Sequence, residues 1–316
     1  MKRVLVLYYS QSGQLGDIVA ATIAPLQQHP DIDVTVLPLQ PRAAYPLPWP
    51  FWRFFNTFPE TVYEQPDAIA PLPLAGDEDF DLVVLAYTVW FLSPSMPTTA
   101  FLQSAQAERL LRGKPVVTLI GCRNMWLMAQ EKMKVHLQRL GAHLIDNAVL
   151  TDGSHSAATF ISTPLWMLTG KRGPFLGGLI PAAGVPAEEI QAAARFGKAI
   201  AAQLPRRDAA DTAPMLDGLA AVKINERLIA SETIALRSFR IWGGLLRRIG
   251  TPSSALRHAV LTFYVVFLVT LILTVVPVSA VIKRLIAPLS RARIQRQRQY
   301  FAAPSGEADH RREQHA

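Results

Sequence analysis

Three short stretches carry residue types that could do chemistry, and a fourth holds a titratable ring. Tyr9-Ser-Gln-Ser-Gly-Gln-Leu-Gly16 places two hydroxyls and two glycines just ahead of a helical pattern. Successive backbone N–H groups in such a turn point inward, the helix N-terminus adds partial positive charge, and Ser10 and Ser12 can each donate to phosphate oxygens. No lysine or arginine lies in the turn, and the pattern G-x-x-x-x-G-K-[ST] is absent. The turn therefore suits a phosphomonoester held by neutral donors and suits a nucleoside triphosphate poorly. Thr88-Val-Trp-Phe-Leu-Ser-Pro94 offers hydroxyls beside two aromatic rings, and Gly121-Cys-Arg-Asn-Met-Trp126 offers a cation, an amide and another ring. His155 lies in Thr151-Asp-Gly-Ser-His-Ser-Ala-Ala-Thr159, and its ring titrates near neutral pH, as a proton-transfer group must. The same letters fit plainer roles: a βα turn that caps its helix, core tryptophans, a surface arginine and a solvated histidine. The seven histidines show no spacing of the H-E-x-x-H kind, and no metal is expected.

The elements around these stretches place all of them at one edge. Arg3 to Tyr8 is an apolar run of β-formers, and residues 17 to 26 repeat apolar positions at helical spacing. Ile32 to Leu37 alternates like a strand. Asp81 to Tyr87 and Lys114 to Gly121 are near-continuous apolar runs, the form of parallel strands buried on both faces. Helices are expected from about Pro97 to Leu111, from Trp126 to about Leu140 and from Ala187 to Leu204, and His143 to Leu150 reads as a fifth strand. Strands alternating with helices predict an α/β doubly wound parallel sheet, in which ligands sit beyond the carboxyl ends of the strands. Each of the three loops leaves such an end. Residues 38 to 76, rich in proline and with the aromatic run Trp49-Pro-Phe-Trp-Arg-Phe-Phe55, read as an insert without regular structure. Either it covers the core, or it forms a greasy lid or membrane contact.

Charge divides the chain. Residues 1–215 carry 17 Lys and Arg against 18 Asp and Glu, whereas residues 216–316 carry 15 against 6, so the net charge of +8 belongs to the last third. An apolar run inside that basic third points to an anionic membrane surface and away from nucleic acid. Residues 205–230 read as a polar linker and residues 231–250 as a basic amphipathic helix. In that helix Ile234, Ile241, Trp242, Leu245 and Ile249 share one face, with Arg237, Arg240, Arg247 and Arg248 opposite. Packing of this helix on the domain is the competing reading. Ala259 to Ile282 has no charge over 24 residues, about 36 Å as helix, enough for a hydrocarbon core of about 30 Å. Basic residues flank it on both sides, so a single pass, a re-entrant segment and a monotopic anchor all stay open. Residues 283–316 read as a basic tail, disordered from about Pro304. The lone cysteine, Cys122, excludes an internal disulfide, and Met1-Lys2-Arg3 leads directly into a strand. The folded part is therefore expected at the cytoplasmic face of the membrane.

These loops together resemble the flavodoxin-like family of FMN proteins, whose strand order is 2-1-3-4-5. The family's phosphate loop is close to [ST]-x-[ST]-G-x-[ST]. Ser10, Gln11, Ser12, Gly13 and Gln14 fit it, and Leu15 stands where the last hydroxyl would be. The resemblance implies that Thr88, Val89, Trp90 and Phe91 form the isoalloxazine loop, with Trp90 near the ring. It further implies that Gly121, Arg123, Asn124 and Trp126 lie at the flavin's other edge, where Arg123 would stabilise an anionic reduced ring. A narrower resemblance is to the flavodoxin-like aromatases of dialkylresorcinol biosynthesis, carried by the aromatic insert, Trp-Phe-x-Ser-Pro, Arg-Asn-Met-Trp and the apolar C-terminal extension. It implies oxidation of a lipophilic 2,5-dialkyl-cyclohexane-1,3-dione to a resorcinol. An NAD(P)H-dependent quinone or flavin reductase and a membrane-tethered electron carrier are the alternatives, and a homo-oligomer is compatible with all three.

Overall fold

The computed structural model describes residues 1–76, 78–153, 156–208 and 211–311. Five strands, Lys2–Tyr8 (β1), Ile32–Pro38 (β2), Leu82–Tyr87 (β3), Pro115–Cys122 (β4) and His143–Thr151 (β5), form one sheet in the order β2-β1-β3-β4-β5. Every neighbouring pair is parallel. The near-continuous apolar runs have the expected cause, because alternate residues feed opposite faces: Val4 and Val6 enter one core, Leu5 and Leu7 the other. The fold is the flavodoxin-like doubly wound α/β arrangement.

Helices Gln14–Gln27 (α1), Ala187–Ala192 (α7) and Ala194–Gln203 (α8) cover the first face. At the α1–α8 crossing, a Cβ on Gly197 would stand 1.8 Å from the Thr22 carbonyl oxygen, so only glycine permits this approach. Met96–Leu102 (α3), Ala105–Leu111 (α4) and Leu127–Arg139 (α5) cover the second face. The helix expected from Pro97 to Leu111 is thus two helices. The break is local: the Ser104 hydroxyl accepts from Ala107 N at 3.1 Å and starts α4 afresh.

The first insert and the C-terminal third depart further from expectation. The 38–76 insert contains a helix, Phe51–Val62 (α2), whose Phe55, Phe58 and Val62 pack in a third apolar cluster. Prolines at 46, 48, 50 and 59 obscured that spacing in the sequence. Residues 205–230 are not a free linker. Met215, Leu216, Leu219, Ala221 and Val222 are buried, and the Ala221 carbonyl accepts from Val149 N, which covers the β5 edge. The Asp146 carboxylate takes Met215 N at 2.7 Å and Leu216 N at 3.0 Å. The amphipathic helix begins earlier than expected, at Glu226–Ile249 (α9), and packs on α2 and α5 through Ile229, Phe239, Trp242 and Leu246. Ile234, Ile241 and Leu245 remain exposed, so the apolar face is shared between the domain and the outside. Ser156–Thr169 (α6) lies in residues 151–186, between β5 and α7, which the sequence reads as a second, lid-like insert, and Ala255–Ala302 (α10) includes the apolar run. The expected disordered tail is instead docked through residue 311: Ser305 is fully buried and donates to Asp146 Oδ1 at 2.8 Å.

Candidate functional site

The turns after β1, β3 and β4 all open at the carboxyl edge of the sheet. In the first, Gly13 has φ +86°, which reverses the chain into α1. The Ser10 hydroxyl oxygen accepts from Gly16 N at 3.1 Å, fixing the turn while its proton stays available to donate. Among the described residues, no protein acceptor takes the N–H groups of Ser12, Gly13, Gln14 or Leu15. That is the donor set an oxyanion would complete.

Several side chains assigned to this turn have other work. Gln11 donates to the Pro46 carbonyl at 2.7 Å, tying the turn to the aromatic insert. Gln14 donates to Val185 O at 3.2 Å and accepts from Val185 N at 3.0 Å, tying it to the second insert. Leu15, where the hydroxyl of the motif is missing, turns its side chain into the core at 2% exposure, so its N–H is the group that can serve a ligand. Gly121 has a packing role. It is buried, and a Cβ there would meet Ile18 Cδ1 at 2.9 Å and Leu15 Cδ1 at 3.0 Å, so its smallness seats α1.

The second loop folds as a two-stranded hairpin, Val89–Trp90 against Ser93–Pro94. Phe91 and Leu92 at its tip have φ of 46° and 59°, a left-handed pair of non-glycine residues that costs about 1–3 kcal/mol each. Packing imposes it, since Leu92 is buried and the Phe91 ring contacts Phe54 and Phe58. Trp90 remains partly exposed, with Tyr45, Trp49 and Tyr9 at 5.0, 5.6 and 6.1 Å, all edge-on. Thr88 Oγ1 is buried with no hydrogen-bond partner among the described residues, an orphan at the strand end that a ligand's polar edge would satisfy.

In the third loop Arg123 is half-buried. Burial pushes its guanidinium down to about 10, and the nearby Asp152 carboxylate opposes that shift. Asp152 also accepts from Gly184 N at 2.8 Å, linking this loop to the 151–186 insert. Asn124 is partly exposed. Trp126 is 2% exposed in the core beneath the loop, which corrects its assignment to a ligand edge. His155 lies outside the described residues.

Two residues the sequence did not single out hold these loops. Lys132 on α5 is buried and donates to Ser93 Oγ at 2.8 Å and Val62 O at 2.7 Å, joining the hairpin to α2. Glu232 on α9 is fully buried and accepts from Met128 N at 3.0 Å at the start of α5. Burial raises its carboxyl to about 8. The only sequence signal for either was a charge on the apolar side of a helix.

No protein-family model matches the chain, and no curated protein matches it. Among solved structures it is similar to a flavoprotein in complex with FMN from Lactobacillus acidophilus NCFM, at 16% identity and TM-score 0.39. That match covers 47% of this chain and 93% of that one. It is also similar to a flavodoxin from the domain Archaea (11% identity, TM-score 0.35, 64% and 98% covered) and a WrbA-like flavodoxin from Agrobacterium tumefaciens (11%, 0.35, 65% and 98%). The fold assignment rests on the strand order itself.

Proposed function

We propose that the chain is an FMN-dependent oxidoreductase, attached to the cytoplasmic face of a membrane and acting on a lipophilic ring. The observation that carries this reading is the uncommitted donor set of the first turn, converging with the Trp90 hairpin and the Arg123 loop at one sheet edge. The Ser10 and Ser12 hydroxyls and the N–H groups from Ser12 to Leu15 would hold the phosphate. Thr88 Oγ1 would meet a polar edge of the ring system, and Trp90 would bound its face. Bound FMN would supply a hydride acceptor. The chain's own part is to bind and orient the substrate ring against that acceptor, to exclude water with the two inserts, and to place the positive charge of Arg123 at the flavin edge, where it would stabilise an anionic reduced ring. The two inserts are joined, Trp49 N donating to Met167 O at 2.7 Å, and each is tied to the first turn through Gln11 or Gln14; the Tyr45 and Trp49 rings beside Trp90 would suit a lipophilic substrate.

Within that class, the substrate we propose is a 2,5-dialkyl-cyclohexane-1,3-dione, oxidised to a dialkylresorcinol. The carbon between its carbonyls is acidic, so loss of one hydride and one proton followed by tautomerisation yields the aromatic ring. Support comes from the resemblance of the Trp-Phe-x-Ser-Pro and Arg-Asn-Met-Trp loops and from the aromatic cover. The test is anaerobic addition of such a dione to the flavin-loaded protein. Bleaching of the visible band with release of a resorcinol is expected. Bleaching by NAD(P)H and not by the dione would assign a reductase, and a stabilised one-electron state in potentiometry would assign a carrier.

A further inference from the structure

The apolar run reads, by length, as a membrane crossing: Ala255–Val275 has mean hydropathy 2.3 and is mostly exposed. Both ends of α10 nevertheless dock on the same domain. At its start Arg257, 1% exposed, gives Glu60 two hydrogen bonds, at 2.9 and 2.7 Å, and donates to Asn56 Oδ1 and O at 3.2 and 3.0 Å. At its end Tyr300 donates to Glu131 at 2.7 Å, and Phe301 packs in the second core. The docking points are neighbours, because Glu60 lies two residues from Val62, whose carbonyl takes Lys132 beside Glu131. Summing side-chain reaches leaves less than about 50 Å between Arg257 and Tyr300, whereas a straight helix over that interval measures about 65 Å. The helix is therefore longer than the gap it spans, and both of its ends return to the same domain.

The excursion is too short to cross a bilayer. Leu268 is packed on the domain, and Arg298 is bonded to Glu226 and Glu307 on the return. The intervening helix measures about 45 Å, so out and back it reaches no more than about 22 Å, against a hydrocarbon core of about 30 Å. Its midpoint falls on Lys283 and Arg284, each costing about 2.5–3.5 kcal/mol at the bilayer centre. Perpendicular insertion is thereby disfavoured as well. What is left is an apolar limb, with Phe263, Val266, Phe267 and Leu273 exposed, followed by a basic limb with Arg291, Arg293 and Arg296 exposed. Apolar residues for the acyl boundary and arginines for headgroups are the two halves of an interfacial anchor.

Resting on the membrane reading above, we propose that α10 is a monotopic wedge lying in the plane of one anionic leaflet, so that the FMN-type domain and the C-terminal tail occupy the same side. The full-length chain should float with phosphatidylcholine vesicles containing a quarter phosphatidylglycerol at least tenfold more strongly than with pure phosphatidylcholine. In native membrane vesicles of either orientation, Gln138→Cys on the domain and Asp309→Cys in the tail should react together with an impermeant maleimide, above the background of unaltered Cys122. Labelling of one but not the other from a given side overturns the wedge while leaving membrane attachment intact. Absence of vesicle binding overturns both, and equal binding to neutral vesicles overturns the anionic leaflet.

Discussion

The strand-end crevice and the C-terminal third are built by different means. The crevice is assembled from turns that follow their own strands, with each functional group within a few residues of the element that aims it. The C-terminal third is held by single polar latches between residues far apart in sequence: Arg257 to Glu60, Ser305 to Asp146 and Glu232 to Met128. A site made of local turns is written into short motifs, whereas a region made of latches depends on pairs that no local pattern links. Ligand binding should therefore survive the loss of a latch, and the latches should survive the loss of a ligand group.

The largest effect should come from the element both regions share. Gly197→Ala would force a methyl group against the Thr22 carbonyl and should cost about 4 kcal/mol or more in urea unfolding, with FMN affinity lost as α1 shifts. Arg257→Ala should cost about 3 kcal/mol, since it leaves Glu60 and Asn56 without their buried partner. Isothermal titration should then find FMN affinity within twofold of the parent, and a larger loss would break the separation of the two regions. Ser10→Ala is the converse. It should weaken FMN about tenfold, about 1.4 kcal/mol, with stability changed by less than about 1 kcal/mol.

The smallest effect probes the one latch that touches both regions. The Glu232 carboxyl is raised to about 8 by burial, from an ordinary 4.5. Between those values the folded chain holds a proton that the unfolded chain has released, so this group's contribution makes stability fall as pH rises through the window. Glu232→Gln keeps an acceptor for Met128 N and should flatten that part of the stability–pH curve measured by urea unfolding. An unchanged slope would show that the carboxyl is not the titrating group.

Legibility followed the same division. The five strands and the three loops could be read because alternation and apolar runs are local consequences of burial on two faces, whereas the strand order followed only from the family resemblance. Within the loops, the hydroxyls, Gly13 and the missing hydroxyl at Leu15 were legible, but the direction of Trp126 was not, since a loop end turns a side chain inward only in the context of packing. The α2 helix was hidden by prolines that sit around it and at its last turn. The buried strap at Met215 to Val222 and the docked Ser305 were missed because short apolar words in a polar stretch acquire meaning only beside the β5 edge and Asp146. Glu232 and Lys132 looked like ordinary helix charges until their partners, on other elements, were in view.

The central claim is a phosphate-anchored flavin at the turn after β1, and the most direct measurement is fluorescence titration of the flavin-free full-length chain with FMN and, separately, with riboflavin. Quenching of FMN at one per chain, with riboflavin bound at least a hundredfold more weakly, is the predicted result. Equal affinity for the two would contradict the phosphate cradle, and absence of quenching by FMN would contradict the flavin site itself.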